Sequence, residues 1–361
     1  MSKSNFTKNL LVPDFIFIFL FSLFIIFIYD NFGIFFNRNI NNGFLKATAI
    51  SNNKNCRIKD KDLNCLKETL KDIGNNQSIL FFGNSQTGAI NNFKIGDKDY
   101  ITHLNEENFF KEKKLIVRSL WMPNASLKEL YVIYKELERC KIIPDTLFIP
   151  VFLDDTREQS VRDYVKKLEN TFCKSKEKIK KEKVLESNVK KLNKRIKNNL
   201  SFFQTLQSIN TKMRTDLYKF RNYIFGIKPT SIRPIKKASY YKNINALKKI
   251  LELRNENNLP TIVYVPPLLY ADDFEKIPYS KKDYLIFKKE IKNLCKEKEC
   301  KFLNLEGLIP NSLWGTKAST NSLGNNEEID FMHFTGEGHK VFSKELLIII
   351  KNDLSNINMR I

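Results

Sequence analysis

The sequence predicts an α/β domain built on a parallel sheet. Short apolar runs recur along the chain, "SILFFG", "KLIVRSLW", "PDTLFIPVFL", "PTIVYVPPLL" and "KFLNLEGLI", each the length of a strand. They are continuously apolar rather than alternating, as strands covered on both faces are. Segments with helical spacing separate them, and that alternation is the signature of a sheet with crossover helices.

In chain order, the first feature is apolar. Residues 15–29 carry no charge, and residues 10–12 and 34–36 extend the run towards the roughly 20 residues that a membrane span needs. No small-residue cleavage site follows, so an uncleaved N-terminal transmembrane helix over residues 1–36 is expected rather than a signal peptide. Lys3 and Lys8 precede the run, while Asp30, Arg38 and Lys46 follow it. This bias favours a cytoplasmic N-terminus and an exported body, anchored by a single pass. Residues 37–55, rich in Asn and Phe, read as a tether, with the folded domain over 56–361.

Within that domain Leu63, Leu66, Leu70 and Ile73 lie at helical spacing and stop at Gly74. Ser126 is placed to cap the helix that begins "LKELYVIYKELERC". "FKKEIKNLCKEKE" reads as another helix, and a last one runs from about 336 to 353. A basic helical insertion is expected over about 156–255, between the third and fourth strands.

The chain has 361 residues and a net charge of +21. The excess is local: residues 165–200 hold 13 Lys/Arg against 4 Asp/Glu, and residues 201–240 hold 8 against 1. No zinc finger, helix-turn-helix or aromatic-interleaved RNA motif accompanies the lysines, so nucleic acid is not the expected partner. A solvated helical face accounts for the charge, as does contact with anionic lipid headgroups or an anionic polymer. The later part, "DLYKFRNYIFGIKP", mixes aromatic and cationic residues as bilayer-surface segments do.

There are six cysteines, and two pairs are close in sequence, Cys56/Cys65 and Cys295/Cys300. Each pair could close a small loop in an oxidising compartment, or the thiols could be free and buried. With three histidines and no C-x-x-C motif, a zinc site is not expected.

In an open parallel sheet, reacting groups gather beyond the C-terminal ends of the strands. Ser85, in "FFGNSQTG", stands at such a position. A serine needs a base to take its proton, and the base needs an orienting carboxylate. The histidines are His103, His333 and His339, and Asp330 lies three residues before His333 on an expected loop ahead of the last helix. One short segment can therefore supply both base and orienter. His339 falls at the start of the helix and reads as structural, and His103 has no catalytic partner pattern.

Gly83-Asn84-Ser85 after a first strand, together with Asp330-x-x-His333 before the final helix, resembles the SGNH (GDSL-type) hydrolase superfamily. The resemblance spans about residues 75–350, interrupted by the basic block. It implies a flavodoxin-like three-layer fold, with Ser85 as nucleophile, His333 as general base and Asp330 as its orienter. It implies no cofactor and no metal. The family draws oxyanion donors from the nucleophile's own amide, from a Gly in a second block and from an Asn in a third. Here Asn124 stands in the Gly position, and Asn tolerates positive φ better than most residues. Asp154 stands near the Asn position, where an ionised carboxylate accepts but does not donate, and Arg157 is the nearby alternative donor.

A membrane-tethered member would resemble the envelope branch, which includes the alginate O-acetylation and teichoic-acid D-alanyl transfer proteins. The expected function is a serine esterase or O-acyltransferase acting on an envelope polysaccharide or glycolipid through an acyl-enzyme. Expected partners are membrane lipids, the glycan or acyl donor, and a membrane-bound acyltransferase. An inactive scaffold or polyanion-binding subunit of an envelope assembly is the alternative.

Overall fold

Two three-residue strands, β1 (Ala47–Ala49) and β2 (Asn55–Arg57), open the described part of the computed structural model. It describes residues 47–58, 64–158, 160–168, 219, 221–228, 230–271, 273–318 and 327–356. Helix α1 (Asn64–Asn75) leads to β3 (Ser78–Gly83), which runs directly into a one-turn helix, α2 (Ser85–Gly88), and then β4 (Ala89–Asn91). Short helices α3 (Tyr100–Glu106) and α4 (Asn108–Glu112) precede β5 (Ile116–Trp121). Helix α5 (Leu127–Arg139) leads to β6 (Thr146–Pro150), α6 (Asp163–Leu168) and α7 (Lys237–Glu256). The chain continues through β7 (Thr261–Val265), α8 (Lys281–Glu297), β8 (Lys301–Asn304), β9 (Trp314–Ala318), β10 (Glu327–Phe334) and α9 (Gly336–Asn356).

Six strands form one parallel sheet in the order β2-β5-β3-β6-β7-β8. Every residue of β3, β6 and β7 is buried, whereas the edge strand β8 is not. Interior strands lose water on both faces, which explains their unbroken apolar sequences. Successive residues of β3 then serve different layers. Phe81 stacks on Phe148 and meets Tyr100 of α3, whose ring also meets Phe342 of α9. Phe82 meets Tyr134 of α5 instead, and α5 packs with α7. The result is three layers, with α3 and α9 on one side and α5 and α7 on the other.

Local chemistry sets the element ends. Ser126 and Glu129 form a reciprocal capping box at the start of α5, the cap expected from the sequence. Arg254 of α7 is fully buried and donates to the carbonyls of Pro144, Asp145 and Pro260 and to Thr261 Oγ1. It fastens the N-terminal ends of β6 and β7 to each other.

Three boundaries differ from expectation. Residues 47–55 are not tether: β1 pairs with β4, and β2, which begins at Asn55, extends the main sheet beside β5. The insertion ends before α7, which buries Leu247, Ile250 and Leu251 and is the covering helix between β6 and β7. Asp330 and His333 lie in β10, an antiparallel partner of β9, rather than in a loop. The apolar segment 15–29 and the basic stretch 169–218 lie outside the described residues. Among the described residues, no helix is long and apolar enough to cross a membrane.

Both cysteine pairs that are close in sequence are disulfides, Cys56–Cys65 and Cys295–Cys300, and Cys140 is disulfide-bonded as well. The first joins β2 to α1, so it secures the edge strand that the sequence did not reveal.

Candidate active site

The strand order reverses at β3: the chain passes outward to β5, then returns to β6 on the other side. Such a reversal leaves a crevice beyond the strand ends. The segments after β3, β5 and β6 all line one cleft of about 630 Å³, through Ser85, Asn124, and Asp154 with Arg157 respectively.

Ser85 is the first residue of α2. Asn84 caps that turn, accepting from the Gln86 amide at 2.9 Å, while its own side-chain amide donates to both oxygens of Asp155 at 3.3 Å. Asp155 also accepts from the Phe152 amide. The Ser85 turn is therefore tied to the loop after β6. Gly83 is needed beneath it, because a Cβ there would come within 1.9 Å of Thr87 Oγ1. As first residue of a helix, Ser85 has a backbone N–H with no partner inside that helix.

Asp330 and His333 are 2.8 Å apart, Oδ2 to Nδ1. A regular strand would put residues three apart on opposite faces. The register between β9 and β10 is interrupted from Ile329 to Phe334, and this irregularity lets both side chains converge. Asp330 also accepts from Asn91 Nδ2 at 3.0 Å and from the Met332 amide at 3.0 Å. Burial works against its charge, but the hydrogen bond and charge of His333 prevail and hold the carboxyl below its ordinary value. Nδ1 thus donates to an ionised partner, which leaves Nε2 as the basic nitrogen. Nε2 is buried and has no hydrogen-bond partner. Helix α2 packs against β10, and Ser85 and Met332 both line the cleft. No hydrogen bond joins Ser85 Oγ to His333 Nε2; such bonds often tighten only once substrate is bound.

The oxyanion candidates are distributed around the same cleft. Asn124 has φ of 49°, the left-handed conformation expected of it. Its loop is braced by Arg162, which donates to the Pro123 carbonyl at 2.8 Å and forks onto Glu129. Asp154 lines the cleft but presents no free carboxylate. Arg157 holds one oxygen at 3.1 Å, and Arg233 and the Tyr279 hydroxyl hold the other. Arg157 faces the cleft, and its Nε is buried without a partner.

The remaining histidines lie outside this arrangement. His339 is fully buried between the Tyr100 amide and the Ala89 carbonyl, both at 3.3 Å, and burial pushes its pKa down to about 3. His103 is on α3, with its pKa lowered by burial. Among the described residues, no group of three or more His, Cys, Asp or Glu is placed to hold a metal.

Several contributors gave no signal in the sequence. Asn91 reaches Asp330 from β4, and it fits only because Gly315 opposite has no side chain; a Cβ there would stand 2.1 Å from Asn91 Cγ. Arg233, Tyr279 and Lys317 come from segments remote in sequence and join no local motif. A chain position alone could not have marked them.

No protein-family model and no curated protein matches the chain. Among solved structures, a GDSL-like lipase from Bacteroides thetaiotaomicron is similar at 12% identity and a TM-score of 0.38, over 82% of this chain and 98% of that one. A variant of an acetyl-xylooligosaccharide esterase from Geobacillus stearothermophilus is similar at 11% identity and a TM-score of 0.38, over 76% and 94%.

Proposed function

We propose that this chain is a serine esterase or O-acyltransferase of the SGNH type, acting through an acyl-enzyme on Ser85. The observation that carries the reading is the Asp330–His333 pair at 2.8 Å, with a buried, unpartnered Nε2 on the strand against which the Ser85 helix packs. In the first step Ser85 Oγ bonds to the ester carbonyl carbon and its proton passes to His333 Nε2. The imidazolium then gives that proton to the departing alkoxide as the C–O bond breaks. Water, or a sugar hydroxyl, reverses these steps on the acyl-enzyme. Asp330 stays ionised and steadies the imidazolium. The Ser85 amide, the Asn124 backbone and Arg157 are the groups available for the oxyanion.

The described disulfides support an oxidising compartment, and the uncharged run 15–29 supports a tether to the membrane. Together they favour an exported domain working on an envelope glycan or glycolipid beside a membrane-bound acyl donor or acyltransferase.

The test is covalent labelling with a fluorophosphonate. Wild type is expected to form one adduct, and Ser85→Ala none. A folded wild-type protein that stays unlabelled would move the balance to a second reading, a binding subunit without turnover. Two features favour that alternative: Ser85 and His333 share no hydrogen bond, and Asp154 stands near the position where the resemblance calls for a neutral Asn donor.

A further inference from the structure

Beside Ser85 the cleft is walled by cations that come from separate parts of the chain. Arg157 follows β6, Lys228, Arg233 and Lys236 precede α7, and Lys317 lies on β9. Five cationic side chains thus face four carboxyl groups there: Asp154, Asp155, Glu158 and Glu328. The carboxyls offset most of this charge but leave an excess of one cation. Both oxygens of Asp155 are taken up by the Asn84 side-chain amide and the Phe152 amide, and burial pushes its pKa well up. Asp154 is one carboxylate shared by two guanidiniums, Arg157 and Arg233, and the Tyr279 hydroxyl braces it from a third direction. It holds the two forks in place while leaving a net positive charge. Arg157 Nε remains buried with no acceptor, a donor that the protein itself does not satisfy. Glu328 faces Lys317 at 3.4 Å, which leaves Lys228 and Lys236 in no described ion pair.

The oxyanion of a neutral acyl ester would engage Arg157 at most, and leaves Arg233, Lys228 and Lys236 without a role. Withdrawing water from two fixed guanidiniums in a crevice is offset when an anion binds there, and planar forks suit carboxylate and phosphate oxygens. We infer that the cleft beside Ser85 is an anion subsite, which selects acyl esters bearing an ionised carboxylate or phosphate close to the ester. This builds on the esterase reading but names a substrate class that the catalytic residues alone do not. Arg157 and Arg233 fix the anion, and the exposed Lys228 and Lys236 draw it in. Lys317 closes the side next to the Asp330–His333 strand.

The experiment compares p-nitrophenyl acetate with mono-p-nitrophenyl succinate on the full chain. The ratio of kcat/KM, anionic over neutral, should exceed one in wild type and fall by about tenfold to a hundredfold in Arg233→Gln, the range for a charge-assisted hydrogen bond. Because Arg233→Gln releases Asp154 and could unfold the site, Lys236→Ala is the second variant, with a smaller fall expected. Lys344→Gln, exposed on α9 and away from the cleft, should leave the ratio unchanged. Glucuronate and glucose 1-phosphate, set against neutral glucose, inhibit hydrolysis of the neutral ester competitively and so tell carboxylate from phosphate. A ratio near one that neither variant changes, with no anion inhibiting better than glucose, overturns the anion subsite while leaving the esterase reading intact. Calorimetric binding of either anion to Ser85→Ala, with no turnover of any ester by wild type, does the reverse.

Discussion

Asp330 accepts three hydrogen bonds, and only one comes from the histidine. Asn91 and the Met332 amide fix the carboxylate, and the carboxylate fixes the ring. Asp330→Asn keeps the size but offers an amide donor to Nδ1, favouring the tautomer with its proton on Nε2. Turnover of p-nitrophenyl acetate should then fall by about 10⁴, with little change in KM. A loss of only a few-fold would mean that Asp330 is not the group that orients the base. At this scale the candidate trio Ser85, Asp330 and His333 could be seen in the sequence, because Gly-Asn-Ser and Asp-x-x-His are short-range patterns. Asn91, Arg233 and Tyr279 could not, because their roles exist only through contacts across 79 to 239 residues.

Among the elements, the long buried strands were legible and the short ones were not. A strand of three residues, such as β1, β2 or β4, is too short to show a period. β10 was hidden for another reason. The bulge that aims Asp330 and His333 together breaks the alternation by which a strand is recognised. At the opposite end of the sheet Arg254 joins β6 to β7, and its buried guanidinium serves four acceptors at once. Arg254→Lys keeps the charge but cannot serve all four, and leaves carbonyls unsatisfied. A loss of about 3 kcal/mol in urea unfolding is expected, with no change in the slope. An unchanged midpoint would show that Arg254 contributes packing alone.

For the molecule as a whole, buried ionisable groups make stability depend on pH. His339 has its folded pKa lowered from 6.5 to about 3 by burial, so the unfolded chain binds the extra proton between those values. Its contribution is therefore complete above about 6.5 and is lost as the pH falls towards 3, by roughly 5 kcal/mol at full extent. Asp155 and Asp99 act in the opposite sense. Burial raises their pKa values, and they cost stability as the pH rises through them. Comparing wild type with His339→Gln separates these effects. The glutamine variant should be less stable at pH 7.5, where its hydrogen bonds are poorer, and should lose less on going to pH 4. Parallel curves for the two proteins would show that His339 is not held neutral.

The sequence by itself determined the layer plan, the strands at its centre, the cap of α5 and the identity of the Ser-Asp-His candidates. Each of these rests on periodicity or on neighbours a few residues apart. The tertiary structure decided what those residues face. Only folding places Asp154 between two arginines from different segments, seats Asn91 against Asp330 through the gap left by Gly315, and turns β1 from tether into a paired strand. The physical reason is range. Backbone preference and side-chain periodicity act over a few residues, whereas the electrostatics of this cleft arise from groups that the chain brings together only after the sheet has formed.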